Sequence, residues 1–193
     1  MTGQPIPTTT IGSFPKPKYL PDRDWFDEGG MNSSKITKEY TKASHTLVEA
    51  DEALFQRAAK EIIDTQLNAG VTIPTDGEVR RENYIHYHCR HISGFDFQHL
   101  EHRVLRDGAY ETDFPAIRGW VKQKGFAYAV KDYLAAQKLC PVPLKFTLPG
   151  PLTIMDTNAN CFYQDLLPKL TANDDDSWYW LHILVHGQRK FHS

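Results

Sequence analysis

Ile11, Gly12 and Ser13 close a run of three threonines in Thr8-Thr9-Thr10-Ile11-Gly12-Ser13-Phe14-Pro15. β-Branched residues running into Gly-Ser and then proline suggest a short buried strand that ends in a tight turn. Such a turn offers backbone amides to an anion. Glycine admits a ligand close to the main chain, and the Ser13 hydroxyl adds a donor or an acceptor. The same eight residues also suit a strand that merely turns. A second constellation is Asp76-Gly77-Glu78-Val79-Arg80-Arg81, where carboxylates and two guanidiniums share a short turn. A carboxylate there binds a ligand ammonium, and an arginine forks onto a ligand carboxylate. Alternatively, Asp76 caps the turn and the arginines form a solvated ion-pair face.

Two histidine groups are also candidates. His86, His88, Cys89 and His91 are the densest set of potential metal ligands, but HxHCxH lacks the paired, separated ligands of a familiar zinc site. In an extended segment His86 and His88 would share one face, with Cys89 and His91 on the other. The competing expectation is a polar, partly exposed aromatic surface. His182 and His186 are four apart, a chelating distance on a helix. Their neighbours Trp178, Trp180, Leu181, Ile183 and Leu184 instead suggest an apolar patch that meets a partner.

The elements that must position these groups follow a strand-helix-strand order. After the first turn, residues 16–32 are rich in proline, glycine and charge, which predicts a surface connection pinned by Trp25 and Phe26. Residues 35–49 are helix-compatible. From Asp51, apolar residues at Leu54, Phe55, Ala58, Ala59, Ile62, Ile63 and Leu67 mark one helical face, with Asp51 as N-cap and Gly70 just past the end. Residues 71–75 form a second strand. If it lies parallel to the first, the turns after Ile11 and after Thr75 share one rim, and Ser13 and Glu78 face a single ligand. Residues 94–104 and 110–120 alternate as two arms of an antiparallel insertion. Residues 126–138 suit a short helix and residues 144–148 a third core strand, followed by a Gly-Pro turn and a small-residue loop. The segment from Asp174 onwards abandons this rhythm.

Composition narrows the ligand class. The 193 residues carry 22 Lys+Arg against 24 Asp+Glu, a net charge of −2, and 40% hydrophobic residues. That balance removes the electrostatic argument for nucleic acid or an anionic membrane and favours small metabolites. No apolar run approaches the ~18 residues of a membrane span, and no signal peptide is evident, so a cytoplasmic location is expected. Three widely spaced cysteines, Cys89, Cys140 and Cys161, suit thiols in a reducing compartment.

Three blocks in order, TTTIGSFP, AGVTIPTDGEVRREN and PLKFTLPGPLTI, resemble the catalytic barrel of cobalamin-independent methionine synthase over about residues 8–170. The resemblance implies an α/β fold of the (β/α)8 TIM-barrel family, here an incomplete barrel with an inserted β-arm. It implies methyl transfer from a methyl-folate to homocysteine, without cobalamin. Ile11, Gly12, Ser13 and Glu78 then correspond to amino-acid contacts, while Gly150, Pro151 and Thr153 shape the folate side. The tryptophan that stacks on folate in the family has no aromatic counterpart near Thr157. The family's zinc ligands and catalytic histidine lie on later barrel strands, and this chain ends before them, so no zinc ligand is assigned here. A full barrel typically needs ~250 residues. The expected organisation is a partial barrel over residues 1–173 and a divergent tail over 174–193, in an N-terminal fragment, truncated isoform or divergent product. A protein partner would then cover the open barrel edge. Two other expectations stand beside this one: a non-catalytic binding or regulatory module using the tail, and a zinc hydrolase built on the His86–His91 cluster.

Overall fold

The computed structural model describes residues 6–20, 41, 49–105, 110–123 and 127–163. The expectations for most of 16–32, for most of 35–48 and for the tail, with Trp25, Phe26, His182 and His186, lie outside these residues. The chain divides into two compact units, Met1–Tyr84 with Phe126–Leu148, and Ile85–Gly125 with Pro149–Ser193.

In the first unit the three predicted strand segments lie side by side and parallel, but the first is not the buried strand expected, since Thr8, Thr9 and Ile11 are exposed. Thr9 pairs with Ile73, and Thr75 pairs with Lys145. Ile73 N–H donates to Thr8 O at 2.9 Å, and Lys145 N–H donates to Pro74 O at 2.9 Å. The shared rim expected from the strand-helix-strand order is therefore present. Helix α1 (Glu49–Asn68) is the crossover. It begins before Asp51, so that residue lies inside the helix and is not its N-cap. The other terminus is as expected. Gly70 has φ +82°, a left-handed conformation that glycine adopts without Cβ strain. Gly70 N–H donates to Leu67 O and Val71 N–H to Gln66 O, the two bonds of a Schellman ending.

The predicted apolar face of α1 is buried on two sides. Phe55, Ala58, Ala59 and Ile62 pack with Leu20 and Val79, and Ile63 packs with Ala136, Cys140 and Leu144. Each fully buried Ile or Phe contributes about 1.5–3 kcal/mol relative to exposure. Ala136 belongs to helix α3 (Ala127–Gln137), close to the predicted 126–138. The outward face carries Arg57–Glu61 and Lys60–Asp64 pairs one turn apart.

Two glutamines join the helices to the strands. Gln66 Oε1 accepts from Thr75 N–H at 2.9 Å and from Thr10 Oγ1 at 2.8 Å, while Nε2 donates to Thr75 O at 2.9 Å and Ile62 O at 3.2 Å. All the hydrogen-bonding capacity of this buried carboxamide is thus in use. Gln137 does the same for the entry to the third strand. Its Nε2 donates to Cys140 O and Val142 O, and its Oε1 accepts from Leu144 N–H.

The second unit holds the expected antiparallel arms as β1 (Ile92–Leu105) and β2 (Tyr110–Gln123), with register irregularities between Ser93 and Phe95 and between Asp96 and Glu101. A short strand, β3 (Ala159–Asn160), pairs parallel to β2. The loop expected after the Gly-Pro turn is instead helix α4 (Pro151–Thr157), with Gly150 at the N-cap and Pro151 at the first helical position. Proline fits there because that N–H needs no intrahelical acceptor and its fixed φ is already helical. Among the described residues, no helix is long and apolar enough to cross a membrane.

Replacing Gln66 with Met keeps the approximate shape and removes every polar contact of the side chain. Thr75 N–H and C=O are then buried without that partner, and a loss of about 2–4 kcal/mol is expected in urea unfolding. A change below about 0.5 kcal/mol would show that the carboxamide is not holding the strand end.

Candidate functional site

The Gly-Ser turn and the Asp-Gly-Glu turn meet at the ends of the first two strand segments. Phe14 N–H donates to Gly77 O at 3.0 Å, which ties the residue after Ser13 to the residue before Glu78. Ile11 is 92% exposed, and Ser13 is exposed as well. Gly12 has φ +85° and open space where a side chain would begin. The first turn therefore presents its backbone and the Ser13 hydroxyl outward.

The second turn is buried and conformationally demanding. Gly77 has φ +67°, and a Cβ there would stand 2.7 Å from Ile62 Cγ2 and 3.3 Å from Phe14 Cβ. Glu78 follows with φ +58°, the sole non-glycine with positive φ among the described residues. That conformation costs on the order of 1–2 kcal/mol. It is held by Asp76 Oδ1, which accepts from Glu78 N–H at 3.1 Å, and by Thr75 Oγ1, which accepts from Gly77 N–H at 3.3 Å.

The charges around this turn divide between two roles. Arg80 turns toward α1 and forks onto Glu52, with Nη1 to Oε2 at 2.7 Å and Nη2 to Oε1 at 2.6 Å. The hydrogen bond from Arg80 pulls the Glu52 carboxyl below its usual range, against the opposing effect of burial. Asp76 caps the turn, so one part of the structural expectation holds. The expected solvated arginine face does not, because Arg81 is only 5% exposed. Its Nη1 donates to Thr147 Oγ1 at 2.9 Å and its Nη2 to Thr147 O at 2.7 Å. Its guanidinium lies 4.9 Å from the Phe146 ring centroid and 5.6 Å from that of Tyr84.

Glu78 is 5% exposed, and its Oε1 accepts from Thr147 Oγ1 at 2.7 Å and lies 3.5 Å from Arg81 Nη1. Its Oε2 accepts no hydrogen bond from the described residues. Burial pushes the Tyr84 phenol up; the Arg81 cation opposes this and the Glu78 charge adds to it. Lys145 Nζ donates to Thr10 O, bringing a second cation to these strands. A buried carboxylate with one oxygen engaged, beside an open Gly-Ser turn, can receive a small molecule that carries both an ammonium and a carboxylate.

Ile11, Gly12, Ser13 and Glu78, the residues expected to contact an amino acid, lie on these two turns, and the structure adds Thr147, Gln66 and Lys145, which the sequence did not single out. The alternation Leu144, Lys145, Phe146, Thr147, Leu148 held a usable signal, since two polar side chains two residues apart share one face of a strand. Gly150, Pro151 and Thr153 belong to the second unit, at the start of α4. There Gly150 O accepts from Ile154 N–H, and Thr153 is exposed.

The histidine cluster differs from both expectations. His86–Cys89 is a single helical turn, α2, so strand alternation does not apply, and His86, Tyr87, His88 and Cys89 are all buried. His86 makes T-shaped contacts with the Phe97 and Phe114 rings at centroid distances of 6.3 and 6.0 Å. Cys89 packs with Ile92 and Ile154. Among the described residues, no group of three or more His, Cys, Asp or Glu side chains is placed to hold a metal ion.

An α/β chain with adjacent parallel strands and a charged rim at their ends is the class that this geometry defines. Residues 6–170 match the family described as cobalamin-independent synthase, catalytic domain. The chain belongs to that family. It is 30% identical over 160 residues to a methionine synthase of Sulfolobus acidocaldarius, which covers 82% of this chain and 42% of the relative. A methionine synthase of Saccharolobus islandicus is 31% identical, with 83% and 43% covered. The chain thus spans under half the length of these curated relatives. A solved B12-independent methionine synthase from Shewanella sp. W3-18-1, in complex with selenomethionine, superposes with a TM-score of 0.65 at 27% identity, covering 83% of this chain and 42% of that one.

Burial, reinforced by the Arg90 charge, lowers the His86 pKa from 6.5 to about 3. The unfolded chain therefore binds a proton that the folded chain excludes between these values, and stability falls as pH drops through that window. Between about pH 6.5 and 5 the loss from this group should be roughly 2 kcal/mol. Urea unfolding at several pH values should show a shallower dependence for His86→Gln, and equal slopes would contradict the burial of a neutral imidazole.

Proposed function

We propose that this chain carries the amino-acid-binding rim of a (β/α)8-barrel methyltransferase that moves a methyl group from a methyl-folate to the thiol of homocysteine. In that reaction a carbon–sulfur bond forms as the carbon–nitrogen bond of the donor breaks, and a proton takes the place of the methyl group on the donor nitrogen in exchange for the one the thiol gives up. Glu78 Oε2 receives the substrate ammonium, and the Gly12 and Ser13 turn receives its carboxylate. The observation that carries this reading is the Phe14 N–H to Gly77 O bond, which places the two turns together at one rim. Family membership supports it, as does the selenomethionine held by the Shewanella protein, a close analogue of the methylated product.

On this reading Gly150, Pro151 and Thr153 shape the folate side. Helix α4 supports a shaping role, since its start fixes the backbone of all three. Zinc is implied by the family resemblance and would supply a thiolate at neutral pH. The described residues do not fit it, because none of their His, Cys, Asp and Glu side chains form a ligand group. No step is therefore assigned through the metal, and the work of these residues is to bind and orient the amino acid.

Calorimetric titration of the full chain with L-methionine should show one saturable site, weakened about 10- to 100-fold by Glu78→Gln, which removes the charge and keeps the shape. Equal affinity in the variant would overturn the assignment of Glu78 to the ammonium.

A further inference from the structure

We infer that Thr147 is a positioning residue, through which Arg81 holds the Glu78 carboxylate with one oxygen fixed and the other presented to the substrate ammonium. The inference rests on the reading of this rim as an amino-acid site and goes beyond it by identifying what aims the carboxylate.

Hydrogen-bond polarity fixes the direction of the relay. A guanidinium only donates, so at the 2.9 Å contact Arg81 Nη1 donates and Thr147 Oγ1 accepts. The hydroxyl has a single proton, and a carboxylate only accepts, so at 2.7 Å that proton lies toward Glu78 Oε1. The direct Arg81–Glu78 separation is 3.5 Å, an ion pair but long for a hydrogen bond, so the directional hold on the carboxylate oxygen runs through the hydroxyl. Arg81 is itself fixed by its second bond to Thr147 O and by the Phe146 and Tyr84 rings.

Strand register supplies Thr147 at this point. Lys145 pairs with Thr75, so Thr147 stands two residues beyond that pair, as Gly77 does on the neighbouring segment. Glu78 needs such an anchor because its backbone is left-handed and its side chain has several torsions to fix. Ordering the carboxylate before binding removes that entropic cost from the binding step. The consequence is selectivity: the relay matters for ligands with an ammonium and is indifferent to those without one.

The test compares L-methionine with 4-(methylthio)butanoate, its analogue without the amino group, by calorimetry on the full chain. Wild type should prefer L-methionine. Thr147→Val, of nearly the same shape, should lose about tenfold or more in L-methionine affinity while its affinity for the analogue is unchanged. Thr147→Ser keeps the hydroxyl and should restore the preference to within about threefold of wild type. If Thr147→Val keeps the wild-type preference, or if both ligands weaken equally, the relay is overturned while the amino-acid site stands. If wild type does not discriminate between the ligands, the site reading fails and the relay with it. Should Thr147→Val not fold, Thr147→Ser and Arg81→Lys decide. Preference kept by serine and reduced by lysine, which cannot fork, supports the relay; the reverse pattern refutes it.

Discussion

The carboxamide of Gln66 is the contact on which the rest of the first unit depends. It presents to Thr75 both an acceptor and a donor, as a neighbouring peptide group would, and so acts as a strand partner supplied by a helix. Its oxygen also holds Thr10 on the first strand segment. One side chain thereby sets the helix, the first strand and the second strand relative to one another. Gln137 repeats the device, pairing with the backbone of Cys140, Val142 and Leu144 where the third segment begins. In both cases a helix ends near the glutamine, and the amide meets backbone groups that the parallel pairing leaves open.

From that framework follows the shape of the rim. Because Thr75 is fixed, its hydroxyl can cap Gly77, and Asp76 can cap Glu78. Two successive residues with positive φ are tolerated there, one because it is glycine and the other because its amide is bonded. From this turn the Glu78 side chain meets Thr147 and Arg81, where burial would be costly for an isolated carboxylate but is offset by the Thr147 hydrogen bond and the Arg81 ion pair. The neighbouring Gly-Ser turn stays open, joined to this turn at Phe14. The rim therefore combines an ordered anion with exposed backbone donors.

Much of this was legible in the sequence because its signals are local. The apolar spacing from Leu54 to Leu67, glycine at 70, and the strand endings at Gly12 and Gly77 each lie within a few neighbouring residues. The partners that complete the rim are distant: Thr147 is 69 residues from Glu78, and no local pattern joins them. Asp51 failed as a cap because the helix extends past it to Glu49. Gly150-Pro151 looked like punctuation because glycine and proline also open helices. The histidine cluster was misjudged because a turn of helix buried among Phe97, Phe114 and Ile92 takes its polarity from packing, not from alternation.

On the proposal made above, the Gly-Ser and Asp-Gly-Glu turns form one receptor for an amino acid. The most direct test is amide hydrogen exchange on the full chain with and without L-homocysteine, resolved to short peptides. Added ligand should slow exchange jointly over residues 12–14 and 77–79, with little change in the β1–β2 arms. Slowing in the arms alone, or none in either turn at saturating ligand, would contradict it.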